Sequence, residues 1–170
     1  SVPDKPTQTG WGGRLADLLA SLNTSDQISM SISVAGKNTF QVGNRITQYA
    51  IGTGGASTLA GNTATVNPTN LDGIRFRAQK DIFALSQPNP LTPPPPARQP
   101  HLLEAAFGST TGNAIVSADY LNTVLASAPA VTTAFPNTTA GTQLRMVARL
   151  IAASPNLGLK RQVFFVQLGG

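Results

Sequence analysis

Apolar and polar positions alternate most regularly between Gln27 and Ala35. One side of this stretch carries Ile28, Met30, Ile32 and Val34, and the other side carries Ser29, Ser31 and Ser33. Because successive side chains of a strand point to opposite faces, the pattern predicts a half-buried strand. A second short strand or extended segment is predicted at Thr39–Gly43, after a turn at 36–38, and another short apolar piece lies at Gln48–Ile51.

Helical spacing appears first near the start of the chain. Leu15, Leu18, Leu19 and Leu22 recur at i, i+3, i+4 and i+7. This spacing places them on one face of a helix ending near Asn23, with Asp17 on the opposite side. A helical start is predicted at His101–Ala106, and a clearer helix at Ser117–Ser127, with Ser117 as its cap.

The strongest helical pattern lies near the end of the chain. Thr142 is its predicted cap and Pro155 its predicted end. The predicted apolar stripe consists of Leu144, Val147, Ala148 and Ile151. Arg145 and Arg149 form an i, i+4 polar pair on this helix.

The last stretch organises the fold prediction. Gln162–Leu168 is apolar on both faces, which is typical of a central strand of a parallel sheet. A helix, a short turn, a buried strand and then Gly169-Gly170 predict an α/β fold. Ligand and catalytic groups collect at the carboxyl ends of such strands. We therefore expect the functional site to lie next to Gly169 and Gly170.

The chain is interpreted as a single incomplete α/β domain over residues 1–170. Residues 1–86 form a Gly-rich irregular half with one helix and short strands, and residues 101–170 form a helical half ending in a core strand. Residues 87–100 hold seven of the 13 prolines and read as a rigid polyproline connector. Pro93, Pro96 and Arg98 also match a PxxPxR docking pattern, which keeps open an interaction module.

Composition excludes several classes of function. There is no cysteine, which removes disulfides, thiolate catalysis and Cys-ligated zinc. The net charge is +5, but the basic residues are scattered and their densest group is only Arg75, Arg77 and Lys80. With 6% aromatic residues and no basic run, nucleic-acid binding is disfavoured. No apolar stretch approaches the roughly 20 residues of a membrane span.

The inventory of reactive side chains is small. The chain has one histidine, and no His, Asp or Glu residues are grouped at a spacing that predicts a zinc or calcium site. A serine triad would need His101, for which no orienting acid and no nucleophile-elbow glycines are visible. The glycines between Ile51 and Asn62 lack a P-loop lysine, so a surface loop is favoured over a phosphate cradle. We assign no catalytic and no metal-ligating residue within this chain.

The segment Gly10-Trp11-Gly12-Gly13-Arg14 has the most unusual composition. Three glycines around one tryptophan and one arginine suggest tight backbone turning at the helix start. On residue types alone, the favoured interpretation is that Trp11 fills the core and Arg14 pairs with a carboxylate. A ligand-binding role for the two residues is the alternative.

Three blocks of the chain resemble a known family. They are Thr9–Asp17, Asn38–Gly43, and Ala148–Ala152 continued by Gly158–Gly170. Their sequences, order and spacing resemble the bacterial exported family called domain of unknown function fifteen-hundred-and-one. That family is grouped with the alkaline phosphatase and sulfatase superfamily of metal-dependent hydrolases, and its members typically carry twin-arginine export signals.

The resemblance implies a segment of an alkaline-phosphatase-like three-layer α/β/α fold with long Gly- and Pro-rich loops. This chain would be the central fragment of a longer protein located in the periplasm or envelope, and its partner would be the rest of that protein. The family's metal-ligand motifs precede the Gly-Trp helix and follow the final Gly-Gly, so a divalent metal would be held by residues outside this chain.

For function, the resemblance implies a phosphate or sulfate ester hydrolase, with a non-catalytic envelope scaffold as the alternative. Trp11, Arg14, Gly169 and Gly170 are then expected to lie beside the cleft. The metal, the substrate and the oligomeric state stay open.

Overall fold

Three short strands form a parallel sheet in the computed structural model, which describes residues 8–57 and 102–168. They are β1 (Ser31–Ser33), β2 (Tyr49–Ala50) and β3 (Val163–Phe165). The strand order is β2-β1-β3, and both strand pairs are parallel. Ser31 pairs with Val163, and Ser33 pairs with both Phe165 and Ala50.

The central strand is β1, and it is buried on both faces. Ile32, Ser31 and Ser33 are all fully buried. The strand predicted from the alternating pattern is confirmed, but the prediction of a solvent-facing serine side is wrong. A parallel strand is usually covered on both faces, and serine is small enough to be covered closely.

The strand predicted from residues 162–168 is confirmed as β3, but its position differs from the prediction. Within the described residues β3 lies at the edge of the sheet, and Val163, Phe164 and Phe165 are only half-buried. The predicted extended segment at Thr39–Gly43 is a turn and loop, not a strand. The apolar piece at Gln48–Ile51 contains β2.

The first helix, α1, spans Trp11–Leu19 and continues as a 3-10 turn over Ala20–Leu22. It ends where the leucine spacing predicted, but it buries another face. The buried positions are Gly12, Gly13 and Ala16. Leu18 is 78% exposed, so the leucine face is not the buried face of α1.

The second helix, α2, spans Leu102–Ser127. The two helical segments predicted in this region are parts of this one helix, and Ser117 lies inside it instead of capping it. Leu121, Val124 and Leu125 near its end are buried.

The third helix, α3, spans Thr139–Leu157 and is capped by Thr138, whose side chain accepts a hydrogen bond from the Gly141 amide. The predicted cap, Thr142, is therefore wrong. The helix continues past Pro155 and ends at Gly158, whose left-handed backbone (φ 67°) suits glycine.

The buried face of α3 also differs from the prediction. The buried positions repeat at helical spacing and are Gln143, Met146, Leu150, Ala153 and Leu157. Leu144 and Ile151, from the predicted apolar stripe, are 46% and 55% exposed. Both stripes have helical periodicity, so periodicity alone did not decide between them.

The described residues belong to two compact units. Residues 8–57 and 121–168 form part of one unit, and residues 102–120 form part of the other. The largest buried apolar side chains of the first unit are Ile32, Leu121, Met146, Leu150 and Leu157, which come from β1, the end of α2 and α3. The three-layer arrangement stays a prediction. The predicted connector at 87–100, His101 and the basic group at 75–80 lie outside the described residues.

None of the helices in the described part of the chain combines the length and the apolar character needed to cross a membrane.

Candidate functional site

The carboxyl ends of β1, β2 and β3 lie at one edge of the sheet, because the strands run parallel. In open α/β sheets, ligands bind in the crevice outside this edge. The chain leaves β1 toward Gly36 and leaves β3 toward Gln167. We call the region around these two exits the carboxyl edge, and it is the candidate functional site.

The start of α1 docks directly on the loop at residues 39–43. The Gly10 amide donates to the Val42 carbonyl at 2.8 Å, and the Gly13 amide donates to the Phe40 carbonyl at 3.1 Å. A Cβ added at Gly13 would lie 2.1 Å from the Val42 carbonyl carbon, and one at Gly10 would lie 2.1 Å from the Phe40 oxygen. No side chain fits between the two backbones. The glycines therefore serve close approach, and neither Gly10 nor Gly13 uses the positive φ that glycine permits.

This docking places three aromatic rings in a series. The Trp11 and Phe40 ring centroids are 6.0 Å apart, and those of Phe40 and Phe165 are 6.2 Å apart, both within range for tilted aromatic pairs. Trp11 is 64% exposed and Phe40 is 40% exposed. We call Trp11, Phe40 and Phe165 the aromatic row; it runs from the last residue of β3 to solvent. The prediction that Trp11 fills the core is wrong.

Arg14 lies one helical turn after Trp11 on α1, so the two side chains are surface neighbours. Arg14 is exposed, and no carboxylate partner for it occurs among residues 8–57 and 102–168. The predicted ion pair is thus not found in the described part of the chain. Gly169 and Gly170, the other two candidate residues, lie outside the described residues.

Gln41 joins the 39–43 loop to two strands. Its side chain is fully buried, and its Nε2 donates to the backbone carbonyls of Ile32 in β1 and Val163 in β3, each at 3.2 Å. Its Oε1 accepts from Asn38 Nδ2 at 2.9 Å, and its backbone N–H donates to Asn38 Oδ1 at 2.9 Å. One side chain therefore fixes the position of Phe40, its neighbour in sequence, relative to the sheet.

Asn38 extends this network to the exit of β1. Its backbone N–H donates to Gln48 Oε1 at 2.9 Å, and its Nδ2 also lies 3.4 Å from Ser33 Oγ. The Ser33 hydroxyl donates to the Gly36 carbonyl in a short hydrogen bond. The loop after β1 is thus held by amide and hydroxyl groups and not by charge.

Asp17 holds the neighbouring loop against α1. Its carboxylate accepts three backbone N–H groups, from Ile46 at 2.8 Å, Asn44 at 2.7 Å and Arg45 at 3.0 Å. These hydrogen bonds, with the Ile46 N–H first, stabilise the charged form and lower the pKa of Asp17 below its usual value. Asp17 is therefore a structural carboxylate whose acceptor positions are used by the backbone.

Asp17→Asn is expected to lower stability at neutral pH and to flatten its acid dependence. The folded-state pKa lies below the ordinary value of 3.8, so the carboxylate stabilises the fold above that value and loses its effect as pH falls through the folded-state pKa. In the asparagine variant an NH2 group replaces one carboxylate oxygen, and this group cannot accept a hydrogen bond from a backbone N–H. Thermal midpoints measured between about pH 2 and pH 7 test this, since the two curves should converge in acid. Asp26→Asn, at an exposed position, is the control; parallel curves for Asp17→Asn and wild type would contradict the assignment.

The segment that follows β3 is held by α3. Gln143, which is 6% exposed in the first turns of this helix, accepts a hydrogen bond from the Gln167 backbone N–H at 2.8 Å through its Oε1. This contact explains why a polar residue occupies the buried face of α3. It also fixes the backbone at Gln167, two residues after β3.

The described residues do not fit a divalent metal site. Among residues 8–57 and 102–168, no three His, Cys, Asp or Glu side chains come together. Asp17, whose carboxylate lies against the loop at residues 44–46, is engaged with backbone amides. The described part of the carboxyl edge therefore offers aromatic, amide and guanidinium groups for binding, without a visible nucleophile or metal-ligand set.

Comparison of the chain with protein-family models, with curated proteins and with solved structures found no match.

The roles of Gln41, Asn38 and Asp17 are not predicted by the sequence pattern. Asp17 bonds to residues 27 to 29 positions away, and Gln41 bonds to Val163 at a separation of 122 residues. No local sequence pattern predicts hydrogen bonds between residues so far apart in the chain. The available signal was the presence of three glycines beside Asp17, since glycines at a helix start can indicate that another backbone packs there.

Proposed function

We propose that this chain forms the substrate-facing carboxyl edge of a hydrolase-like protein that acts on phosphate or sulfate esters. The observation that carries the proposal is the aromatic row, which runs from the end of β3 to the exposed ring of Trp11 with Arg14 one turn away. The class of ester comes from the family resemblance of the three sequence blocks.

These groups match the two parts of an organic phosphate or sulfate ester. An exposed indole provides an apolar face for an organic group, especially an aromatic one. A guanidinium without a carboxylate partner can bind an oxyanion through two parallel N–H donors. Binding both parts at once would orient the ester across the carboxyl edge.

The resemblance also implies a divalent metal, which would polarise the ester oxygen and activate the attacking group. The described residues do not fit that metal, and no step is assigned to it. In the proposal its ligands belong to other parts of a longer exported protein in the periplasm or envelope, to which this chain contributes binding and positioning.

A second candidate function is a non-catalytic surface or scaffold protein of the same envelope location. The lack of a metal-ligand cluster among residues 8–57 and 102–168 is compatible with both functions, because the hydrolase proposal places the ligands elsewhere. Metal analysis of the full-length protein, combined with turnover of aryl phosphates and aryl sulfates, separates the two functions. Bound metal with turnover supports the hydrolase; absence of both supports the scaffold.

On the full-length protein, Trp11→Ala is expected to raise the KM for 4-nitrophenyl phosphate or sulfate roughly threefold to tenfold, because one aromatic contact is lost. Trp11→Phe should keep much of the affinity. Since Trp11 is 64% exposed, the thermal midpoint should change little. Steady-state kinetics on both esters provide the measurement.

The matched control is Leu18→Ala, which removes a 78% exposed apolar side chain from the same helix. Its KM should equal that of wild type. An unchanged KM in Trp11→Ala, or an equal rise in both variants, would remove Trp11 from the substrate site.

A further inference from the structure

A cavity of about 410 Å³ lies within the first unit, apart from the aromatic row. Thr53, shortly after β2, lines one part of it. Leu125 near the end of α2 and the segment 128–131 between α2 and α3 line another part, and α3 lines the rest. The volume falls within the range of about 300–1,000 Å³ that is usual for small-molecule sites.

One wall of the cavity is apolar. Leu125, Pro129, Val131 and Met146 contribute to it, and Leu125 and Met146 are buried members of the core. The part of this wall formed by Leu125 and Met146 is therefore preformed by core packing. A bare inorganic anion would leave most of such a cavity unfilled.

The remaining lining carries two positive charges and no negative one. Arg145 and Arg149 both line the cavity, and its lining contains no Asp or Glu. Among residues 8–57 and 102–168, the Arg149 guanidinium makes one long hydrogen bond, from Nη2 to the Leu125 carbonyl at 3.5 Å. Arg145 has no side-chain partner within the described residues.

The spacing of the two arginines adds to this argument. They are four residues apart on α3, where like charges face each other and destabilise a helix. An anion between the two guanidiniums would remove the repulsion and accept charge-assisted hydrogen bonds from both. The apolar wall would at the same time cover an organic body attached to that anion.

We propose that this cavity, the Arg145–Arg149 pocket, binds a small organic oxyanion. The carboxylate, phosphate or sulfate group pairs with the two guanidiniums, and the apolar body packs against the wall formed with Val131 and Met146. Binding breaks no bond, so the pocket does not depend on ester hydrolysis. A carboxylate, which has no ester to hydrolyse, can occupy it.

The test is a ligand-observed NMR titration of the full chain with benzoate and with phenyl phosphate. Benzyl alcohol serves as the neutral analogue and inorganic phosphate as the anion without an apolar body. We expect at least one of the two organic anions to bind, and to bind at least about tenfold more tightly than benzyl alcohol, because charged hydrogen bonds are involved. Rising salt should weaken the binding.

Variants assign the binding to the pocket. Arg145→Gln and Arg149→Gln are each expected to weaken it about tenfold or more. Arg161→Gln, an exposed arginine whose Nη1 donates to the neighbouring Lys160 carbonyl, is the charge-matched control and should bind like wild type. Val131→Glu, at a half-exposed loop position, introduces a carboxylate into the lining and should abolish binding without touching the arginines.

The proposal would be overturned by binding of benzyl alcohol as tight as that of the organic anions, by an equal loss in Arg161→Gln, or by retained binding in Val131→Glu. Inorganic phosphate binding as tightly as phenyl phosphate would show that the apolar wall plays no part and would also overturn it. Circular dichroism of each variant confirms folding. Because benzoate is not a substrate for hydrolysis, failure of the proposed enzymatic function leaves this readout unchanged.

Discussion

Gly13→Ala is expected to reduce the free energy of unfolding by about 3 kcal/mol, at the upper end of typical overpacking costs. The new Cβ would lie 2.1 Å from the Val42 carbonyl carbon and 2.3 Å from the Gly43 nitrogen. These neighbours are backbone atoms, which cannot rotate away as a side chain can. The helix α1 would have to separate from the 39–43 loop, and the Gly13 amide would lose its bond to the Phe40 carbonyl.

The opposite sign is expected at Gly112, which provides the control. Gly112 also lies inside a helix, α2, but a Cβ added there meets no heavy atom within 4 Å. Gly112→Ala should therefore stabilise the protein by about 0.5–1 kcal/mol through helix propensity alone. Comparing the same substitution in two helices thus separates the cost of steric overlap with a neighbouring backbone from the gain in helix propensity.

Urea unfolding followed by circular dichroism and by tryptophan fluorescence measures both variants. Trp11 is the chain's one tryptophan, so its emission reports directly on the start of α1. Gly13→Ala should shift the unfolding midpoint and change the native emission spectrum. A Gly13→Ala protein as stable as wild type, with unchanged emission, would contradict the docking of α1 on the loop.

The locations of β1 and β3 could be predicted from the sequence, but their environment could not. Alternation between Gln27 and Ala35 correctly indicated β1, because side chains alternate in any strand. Whether the serine side faces water depends on what covers it, and that is decided by residues distant in the chain. Ser31 and Ser33 are fully buried, and Gln41 packs over their strand.

The helix faces show the same limit. In α1 the four leucines are more hydrophobic than the glycines, so hydrophobicity favours the leucine face as the buried one. The buried face instead carries Gly12, Gly13 and Ala16. Small residues bury less apolar area but permit direct backbone contact. In α3 two sets of residues have helical spacing, and only one of them is buried. The buried set includes Gln143, whose side-chain amide accepts a hydrogen bond from the Gln167 backbone.

The segment at residues 10–14 could be recognised from the sequence as part of the candidate site, but the arrangement of its side chains could not. Residues 10–14 were singled out, and the structure places Trp11 in a row of rings with Phe40 and Phe165. The burial of Trp11 was predicted wrongly, because tryptophan is usually buried and no local feature marks an exception. Trp11 is exposed because the glycines of α1 pack against the 39–43 loop, and the helix start is not covered by a layer of apolar side chains among the described residues.

The second large effect is expected for Gln41→Ala, which should lower the free energy of unfolding by about 2–4 kcal/mol through a cavity and lost buried hydrogen bonds. The Nε2 group of Gln41 joins the Ile32 carbonyl of β1 to the Val163 carbonyl of β3. No water-exposed alternative replaces these bonds, since the residue is fully buried. Gln167→Ala, which removes an exposed side chain and keeps the backbone bond to Gln143, should change stability by less than about 0.5 kcal/mol.

Gln41→Met separates the two causes, because methionine has a similar volume and no amide. If the hydrogen bonds dominate, Gln41→Met should lose most of what Gln41→Ala loses; if the cavity dominates, it should be close to wild type. A double-mutant cycle with Asn38→Ala should show a coupling of about 1 kcal/mol or more, because the Asn38 and Gln41 side chains bond to each other.

The functional readout decides whether this network matters beyond stability. Gln41 adjoins Phe40, and it spans the two strands whose carboxyl ends border the candidate site. A folded Gln41→Met protein should therefore show weaker binding of aryl esters at Trp11, because the aromatic row is less firmly positioned. Its binding of benzoate in the Arg145–Arg149 pocket should not change, since Gln41 does not line that cavity. Equal losses at both places would mean that Gln41 supports the fold in general and not the aromatic row in particular.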